Sequence, residues 1–272
     1  MIIYPNAKIN IGLNVVKRRE DGYHDIETIF YPIGLHDILR ITPFVTDSGY
    51  RFSTSGINIG GKAENNLVIK SLKLLQKEYA IPSVDISLTK QIPSGAGLGG
   101  GSADGAFTLK AINELFTLQL SPERLEQLAA TIGADCPFFI KNRPTYATGI
   151  GNVFSPINIL LKNYWLLLVK PDIYVSTAAA YSDIIPTPSD KLLPDLIQLP
   201  VNQWKYYIKN DFEKSVFTKQ PKIGIIKDKL YDLGAVYASM SGSGAAVYGI
   251  FLEKPEYEKQ FEKFFTYCDK MK

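Results

Sequence analysis

The stretch Pro93-Ser94-Gly95-Ala96-Gly97-Leu98-Gly99-Gly100-Gly101-Ser102-Ala103 places five glycines in seven positions between a strand-like run and a helix-like run. Without Cβ atoms the backbone turns tightly and brings its N–H groups against a bulky anion. A helix beginning near Ser102 would aim its unpaired N–H groups and positive dipole end at the same anion. The expected ligand is a nucleotide's phosphates. The literal spacing Gly95-x-Gly97-x-x-Gly100 also satisfies the dinucleotide fingerprint. Against that reading, the loop lies far from the first strand, Pro93 and Gly101 are not part of the fingerprint, and no acidic residue ends a strand at the right distance. A Walker A loop lacks its lysine, and a protein-kinase loop lacks its lysine strand and His-Arg-Asp tract. A flexible linker would not be flanked by periodic elements.

Upstream of the loop, Val84, Ile86 and Leu88 alternate with Asp85, Ser87 and Thr89 and predict a strand. Leu67, Ser71, Leu74 and Leu75 have helical spacing, and Leu109, Ile112 and Phe116 form a helical stripe beyond the loop. Ser121 is placed to cap a helix, with Pro122 at its first position and Leu125, Leu128, Ala129 and Ile132 on one face. Near the N-terminus, Ala7, Ile9, Ile11, Leu13 and Val15 alternate with polar residues, predicting a strand with one buried and one polar face. Further strands are expected at Ile26–Tyr31, Ile38–Thr42, Trp165–Val169, Ala235–Met240 and Ala246–Leu252. Helices are expected from about Thr177, over Ile223–Leu233, and in the tail from Glu256. The alternation of strands and helices predicts a protein of mixed α and β structure in two lobes, divided near residues 152–163 into 1–155 and 156–272.

The 272 residues are 46% hydrophobic and 21% charged, an ordinary globular composition. Thirty Lys and Arg against 27 Asp and Glu give +3, too mild for a nucleic-acid or membrane surface. Two cysteines, Cys136 and Cys268, supply neither a disulfide framework nor metal-ligand spacing. No signal-like segment opens the sequence, and its strongest apolar run is too short to span a bilayer. A cytoplasmic protein is expected.

Two more tracts accompany the loop. One is Pro5-Asn6-Ala7-Lys8-Ile9-Asn10-Ile11-Gly12-Leu13, continuing to Arg19-Glu20-Asp21-Gly22-Tyr23-His24. The other is Ser239-Met240-Ser241-Gly242-Ser243-Gly244-Ala245-Ala246. Together the three resemble the signature motifs of the GHMP small-molecule kinases, in the expected order from about residue 5 to 251. The tracts Pro5-x-Ala7-Lys8-x-Asn10, Arg19-x-Asp21-Gly22-Tyr23-His24 and Gly133-Ala134-Asp135-Cys136-Pro137-Phe138 narrow the likeness to the branch acting on a cytidine-diphosphate-linked methylerythritol in non-mevalonate isoprenoid synthesis. The resemblance implies a ribosomal protein S5 domain 2-like N-terminal lobe, a ferredoxin-like C-terminal lobe and a site in the cleft between them. It implies ATP- and Mg²⁺-dependent phosphorylation of a 2-hydroxyl, with a small-molecule partner rather than a nucleic acid or membrane. Other members act on mevalonate, homoserine or sugars, which carry no cytosine.

Taken alone, Lys8 reads as a solvated strand lysine and Asp135 as a helix cap. The resemblance makes Lys8 catalytic and Asp135 the general base for the substrate hydroxyl, the two forming a hydrogen-bonded pair. Asn10, two residues along the same strand face, would orient substrate hydroxyls. Residues 93–103 would bind ATP, with the amides of Gly97–Ser102 as the phosphate donors and Asn65 and Asn66 near the adenine. Ser102 is placed either to reach Mg²⁺ or a phosphate or to cap its helix; Asp104 reads as a favourable first-turn charge. His24 and Tyr23 would hold the cytosine, with Thr177 and Tyr181 on one helical face closing the other side. Ser241 and Gly242 belong either to a plain hairpin turn or to one folded back toward the phosphate loop. Gly105 departs from the usual alanine and costs its helix about 1 kcal/mol.

Overall fold

A computed structural model of the chain describes residues 1–45, 49–58, 60–188 and 191–271. Its strands are β1 (Ile2–Ile3), β2 (Asn6–Arg18), β3 (His24–His36), β4 (Ile38–Pro43), β5 (Tyr50–Gly56), β6 (Val84–Lys90), β7 (Thr145–Thr148), β8 (Val153–Pro156), β9 (Trp165–Lys170), β10 (Tyr237–Met240), β11 (Val247–Phe251) and β12 (Phe265–Lys270). The helices are α1 (Leu67–Glu78), α2 (Gly100–Leu115), α3 (Pro122–Ala130), α4 (Phe138–Lys141), α5 (Thr177–Tyr181), α6 (Leu193–Leu196), α7 (Trp204–Tyr207), α8 (Phe212–Lys219), α9 (Pro221–Asp232) and α10 (Glu258–Phe261). Among the described residues three four-stranded sheets form, ordered β1-β4-β6-β5, β2-β3-β7-β8 and β10-β11-β9-β12. Among the described residues, no helix is long and apolar enough to cross a membrane. The chain divides into two compact units that interleave in sequence: Met1–Lys8, Leu35–Ser94 and Gly99–Arg143 form the first, and Ile9–Gly34, Gly95–Leu98 and Pro144–Lys272 the second.

In the first unit β6 pairs antiparallel with β4 and parallel with β5. Its alternation is real: Val84, Ile86 and Leu88 are buried while Asp85, Ser87 and Thr89 are half-exposed. Helix α1 starts where the Asn66 side chain accepts a hydrogen bond from the Val68 amide. Helix α3 starts as expected, with Pro122 first and Ser121 Oγ accepting from the Arg124 amide. Gly105 has a packing reason. A Cβ there would lie 3.0 Å from Leu67 Cβ and 3.2 Å from Ile132, so its absence lets α2 approach α1. Ser71 Oγ donates to the Gly105 carbonyl at 2.9 Å across the same contact.

In the second unit β10, β11, β9 and β12 form an antiparallel sheet whose core takes Leu167, Val169 and Val247 from the strands. Val216 from α8 and Ile223, Ile226 and Leu230 from α9 pack into the same core. The expected C-terminal helix is confined to the four residues of α10; β12 then pairs with β9. The run Phe264-Phe265-Thr266-Tyr267-Cys268 is aromatic and β-branched, which favours a pleated strand over a helix. Strand β2 also differs from expectation. Its polar side is covered, and Lys8, Asn10 and Asn14 are buried alongside the apolar residues.

Candidate functional site

Within the first unit, the glycine stretch enters α2 at Gly100, two residues earlier than expected. Gly99 takes φ = +70° as the residue before the helix, a conformation costly for any side chain, and no side chain caps the end. Ser102 is therefore inside the first turn and not a cap. The Gly100, Gly101 and Ser102 amides have no intrahelical acceptor, whereas the Ala103 amide donates to the Gly99 carbonyl at 2.8 Å. A Cβ on Gly99 would meet the Phe139 ring at 2.9 Å and Lys8 Cγ at 3.2 Å, so this glycine also lets the backbone pass over the lysine stem.

Lys8 Nζ lies 3.6 Å from Asp135 Oδ2, with the lysine side chain 4% and the aspartate 35% exposed. Burial pulls the Lys8 ammonium below its ordinary pKa, while the Asp135 charge and hydrogen bond work in the opposite sense. Asp135 sits in the turn closed by Cys136 N to Gly133 O, and α4 begins at Phe138 with no side-chain cap. Its carboxylate faces the lysine instead of capping a helix. Cys136 is buried, which pushes its thiol up to about 12 despite a hydrogen bond with Ser102.

A cavity of about 440 Å³ in the same unit is lined by Phe52, Thr54, Asn65, Asn66, Ser94 and Gly101, among others. This volume falls in the range of small-ligand pockets. Asn66 is partly committed as the cap of α1. At the cavity wall lie Lys90 and Asp104, neither singled out as a ligand-side group by the sequence. Lys90 forms a short contact with Asp37 and a 2.6 Å contact with Asp104, and all three are buried. Burial pushes the Asp104 carboxyl up to about 8; Lys90 opposes this and the Asp37 charge adds to it. Asp104 is thus not a solvated first-turn charge. A signal for this cluster exists in the sequence, since Lys90 continues the buried parity of Val84, Ile86 and Leu88.

Within the second unit, residues 95–98 are tied to the β10–β11 hairpin. Ser241 Oγ donates to the Gly97 carbonyl at 2.9 Å, and the Ala246 amide donates to the Ala96 carbonyl. The turn is therefore a hairpin that also grips the glycine loop. Ala96 and Leu98 point into the core, leaving only their backbone to meet a ligand. The Asn10 amide donates to Ser241 Oγ, and its side-chain nitrogen donates to Thr28 Oγ1 at 2.9 Å. Gly242 takes φ = +54°, and a Cβ there would lie 3.2 Å from Asn10 Oδ1. Asn210, which carries no motif signal, donates from Nδ2 to the carbonyls of Met240 and Gly242, both at 2.8 Å. Its Oδ1 accepts from the Phe212 amide, so one buried side chain fixes the turn.

His24 and Tyr181 lie in stacked contact, ring centroids 4.7 Å apart and planes 19° from parallel. Phe212 meets the Tyr181 ring edge-on. The two rings cover each other, leaving their outer faces free of this contact. Tyr23 is 62% exposed, and Thr177 Oγ1 is 3.5 Å from Ser243 Oγ.

Residues 66–143 match the GHMP kinases N terminal domain, and residues 196–269 match the GHMP kinases C terminal domain. A protein of Bacteroides fragilis named 4-diphosphocytidyl-2-C-methyl-D-erythritol kinase is 54% identical over 275 residues, covering all of both chains. One of the same name from Parabacteroides distasonis is 53% identical, covering 98% of this chain and 97% of that one. The crystal structure of a 4-(cytidine 5'-diphospho)-2C-methyl-D-erythritol kinase superimposes with a TM-score of 0.84 at 30% identity, over 98% of each chain. The chain has the two-domain α+β fold of these enzymes and belongs to the GHMP kinase family, in its 4-diphosphocytidyl-2-C-methyl-D-erythritol kinase branch.

Proposed function

We propose that the protein transfers the γ-phosphoryl group of ATP to the 2-hydroxyl of 4-(cytidine 5'-diphospho)-2-C-methyl-D-erythritol, a step of non-mevalonate isoprenoid synthesis. The observation that carries the reading is the Lys8–Asp135 contact, beside the glycine-padded start of α2. Asp135 accepts the hydroxyl proton while the substrate oxygen bonds to the γ-phosphorus and the bond from phosphorus to the departing ADP oxygen breaks. A carboxylate is a weak base for an alcohol, so the proton moves late, and positioning with charge neutralisation does most of the catalysis. The Lys8 ammonium stabilises charge on the transferring oxygens.

The amides of Gly100, Gly101 and Ser102 suit the polyphosphate, and the cavity beside Asn65 and Asn66 suits the adenosine end. No cluster of three or more His, Cys, Asp or Glu among the described residues could by itself cage a metal. That fits Mg²⁺ bound mainly through phosphates, with the Ser102 hydroxyl as its protein contact and charge neutralisation as its chemistry. In the second unit the outer faces of His24 and Tyr181, with exposed Tyr23, suit a cytosine. Asn10, Thr177, Ser241 and Gly242 suit the polyol and diphosphate. The family domains would divide at 155–156, in the segment separating the two matched ranges. A cytoplasmic enzyme acting on a small molecule, without nucleic-acid or membrane partners, completes the reading. The test is ADP release with ATP, Mg²⁺ and a panel of cytidine-diphosphate-linked and unlinked polyols. Release is expected only with the linked methylerythritol; equal release without the cytidine group would refute the substrate assignment.

A further inference from the structure

The glycine stretch leaves the first unit at Ser94 and re-enters it at Gly99. Three buried charged groups span that gap. Lys90 ends β6, before the loop; Asp104 lies in α2, after it; Asp37 follows β3 and precedes β4. Asp37 Oδ1 accepts from the backbone amides of Gln91 and Ile92 at 2.6 and 2.9 Å, while its other oxygen meets the Lys90 ammonium. The ammonium also donates to Asp104 Oδ2 at 2.6 Å, so a single Nζ links the strand entering the loop to the helix leaving it. Asp104 Oδ1 is buried with no hydrogen-bond partner, and the residue, 2% exposed, forms part of the cavity wall.

Burying three ionisable side chains is unfavourable compared with apolar packing. Its return here is geometric, because the Lys90 ammonium joins both ends of the loop through one atom by charge-assisted bonds. A Cβ on Gly100 would lie 3.5 Å from Lys90 Nζ and 2.8 Å from Ile92. The lysine head therefore sits beside the first residue of α2.

We propose that the Asp37–Lys90–Asp104 cluster is a positioning device for the nucleotide. It fixes the start of α2 against the end of β6, so that the Gly100–Ser102 amides and the cavity wall keep the spacing ATP requires. The inference rests on the ATP-binding reading above, and its test is equilibrium binding of ATP and ADP with no polyol present. Asp104→Asn keeps an acceptor for Lys90 and binds nucleotide within about three-fold of the unaltered protein. Asp104→Ala cuts the link and weakens binding at least about ten-fold, the loss of one charge-assisted bond. In turnover, the alanine variant raises KM for ATP and leaves KM for the polyol unchanged, a split that general destabilisation would not produce. If Asp104→Ala does not fold, the double variant Lys90→Met, Asp104→Leu replaces the pair with apolar bulk and is predicted to show the same weakening. Wild-type affinity in either tie-cutting variant, or equal loss in Asn and Ala, overturns the proposal. Absence of nucleotide binding by the unaltered protein would instead sink the ATP reading on which it stands.

Discussion

Two glycines of one loop should behave in opposite ways when replaced by alanine. Gly97 has φ = +74°, and a Cβ built on it would lie 1.9 Å from the Ser241 carbonyl oxygen. Ordinary carbon–oxygen contacts begin near about 3.3 Å, so the hairpin backbone would have to retreat by more than about 1 Å. That retreat breaks the Ser241 Oγ bond to Gly97 and strains the Gly244 amide bond to Ser241 O. One lost and one strained hydrogen bond, at up to about 1 kcal/mol each, plus about 1–2 kcal/mol for a left-handed alanine, give a destabilisation of about 2–4 kcal/mol. Gly101 has no positive φ and nothing within 4 Å of its Cβ position. Gly101→Ala should therefore be neutral or stabilising by up to about 1 kcal/mol, yet lose ATP affinity, because only an approaching phosphate needs the space. Urea unfolding and nucleotide titration of both variants decide the matter. Gly97→Ala within 1 kcal/mol of the unaltered protein, or Gly101→Ala with full ATP affinity, would refute the assignment of these two glycines.

The remaining predictions concern the substrate side and the buried carboxyl. His24→Ala removes one ring of the stacked pair and should raise KM for the cytidine-linked polyol several-fold with KM for ATP unchanged; steady-state kinetics in each substrate check it. Asn210→Ala removes a donor from each of the Met240 and Gly242 carbonyls and the acceptor of the Phe212 amide, and should cost about 2–4 kcal/mol in urea unfolding. Asp104 has a folded pKa raised to about 8, so the folded chain holds a proton that the unfolded chain releases near pH 4. Its stabilising contribution is complete below pH 4 and is lost as pH rises to about 8, at a slope of at most about 1.4 kcal/mol per unit. Asp104→Asn should flatten the unfolding midpoint over that range; an unchanged slope would contradict the raised pKa.

Local features were the most legible in the sequence. The Ser121 cap, the Pro122 start and the alternation of β6 depend on neighbours in the chain, and the structure forms them as read. The tail was harder, because its helix-compatible charges precede an aromatic and β-branched run whose pairing partner, β9, lies about a hundred residues earlier. Burial of Lys8 and Asn10 was invisible for a related reason: alternation reports the face opposite the apolar one as polar and does not say what covers it. The Lys8–Asp135 proximity came only through the family resemblance, since 127 positions separate the two. Asp37 and Asn210 offer no pattern at all; each acts by bonding backbone groups distant in sequence.

The most direct measurement of the central claim is single-turnover phosphorylation by Asp135→Asn, with ATP affinity determined on the same sample. The carboxylate caps no helix and is one-third exposed, so the amide should fold normally and bind ATP within about three-fold. Loss of the proton acceptor should slow phosphoryl transfer by about 10²–10⁴-fold. Undiminished transfer by the asparagine protein would show that the Lys8–Asp135 couple is structural and that the base lies elsewhere.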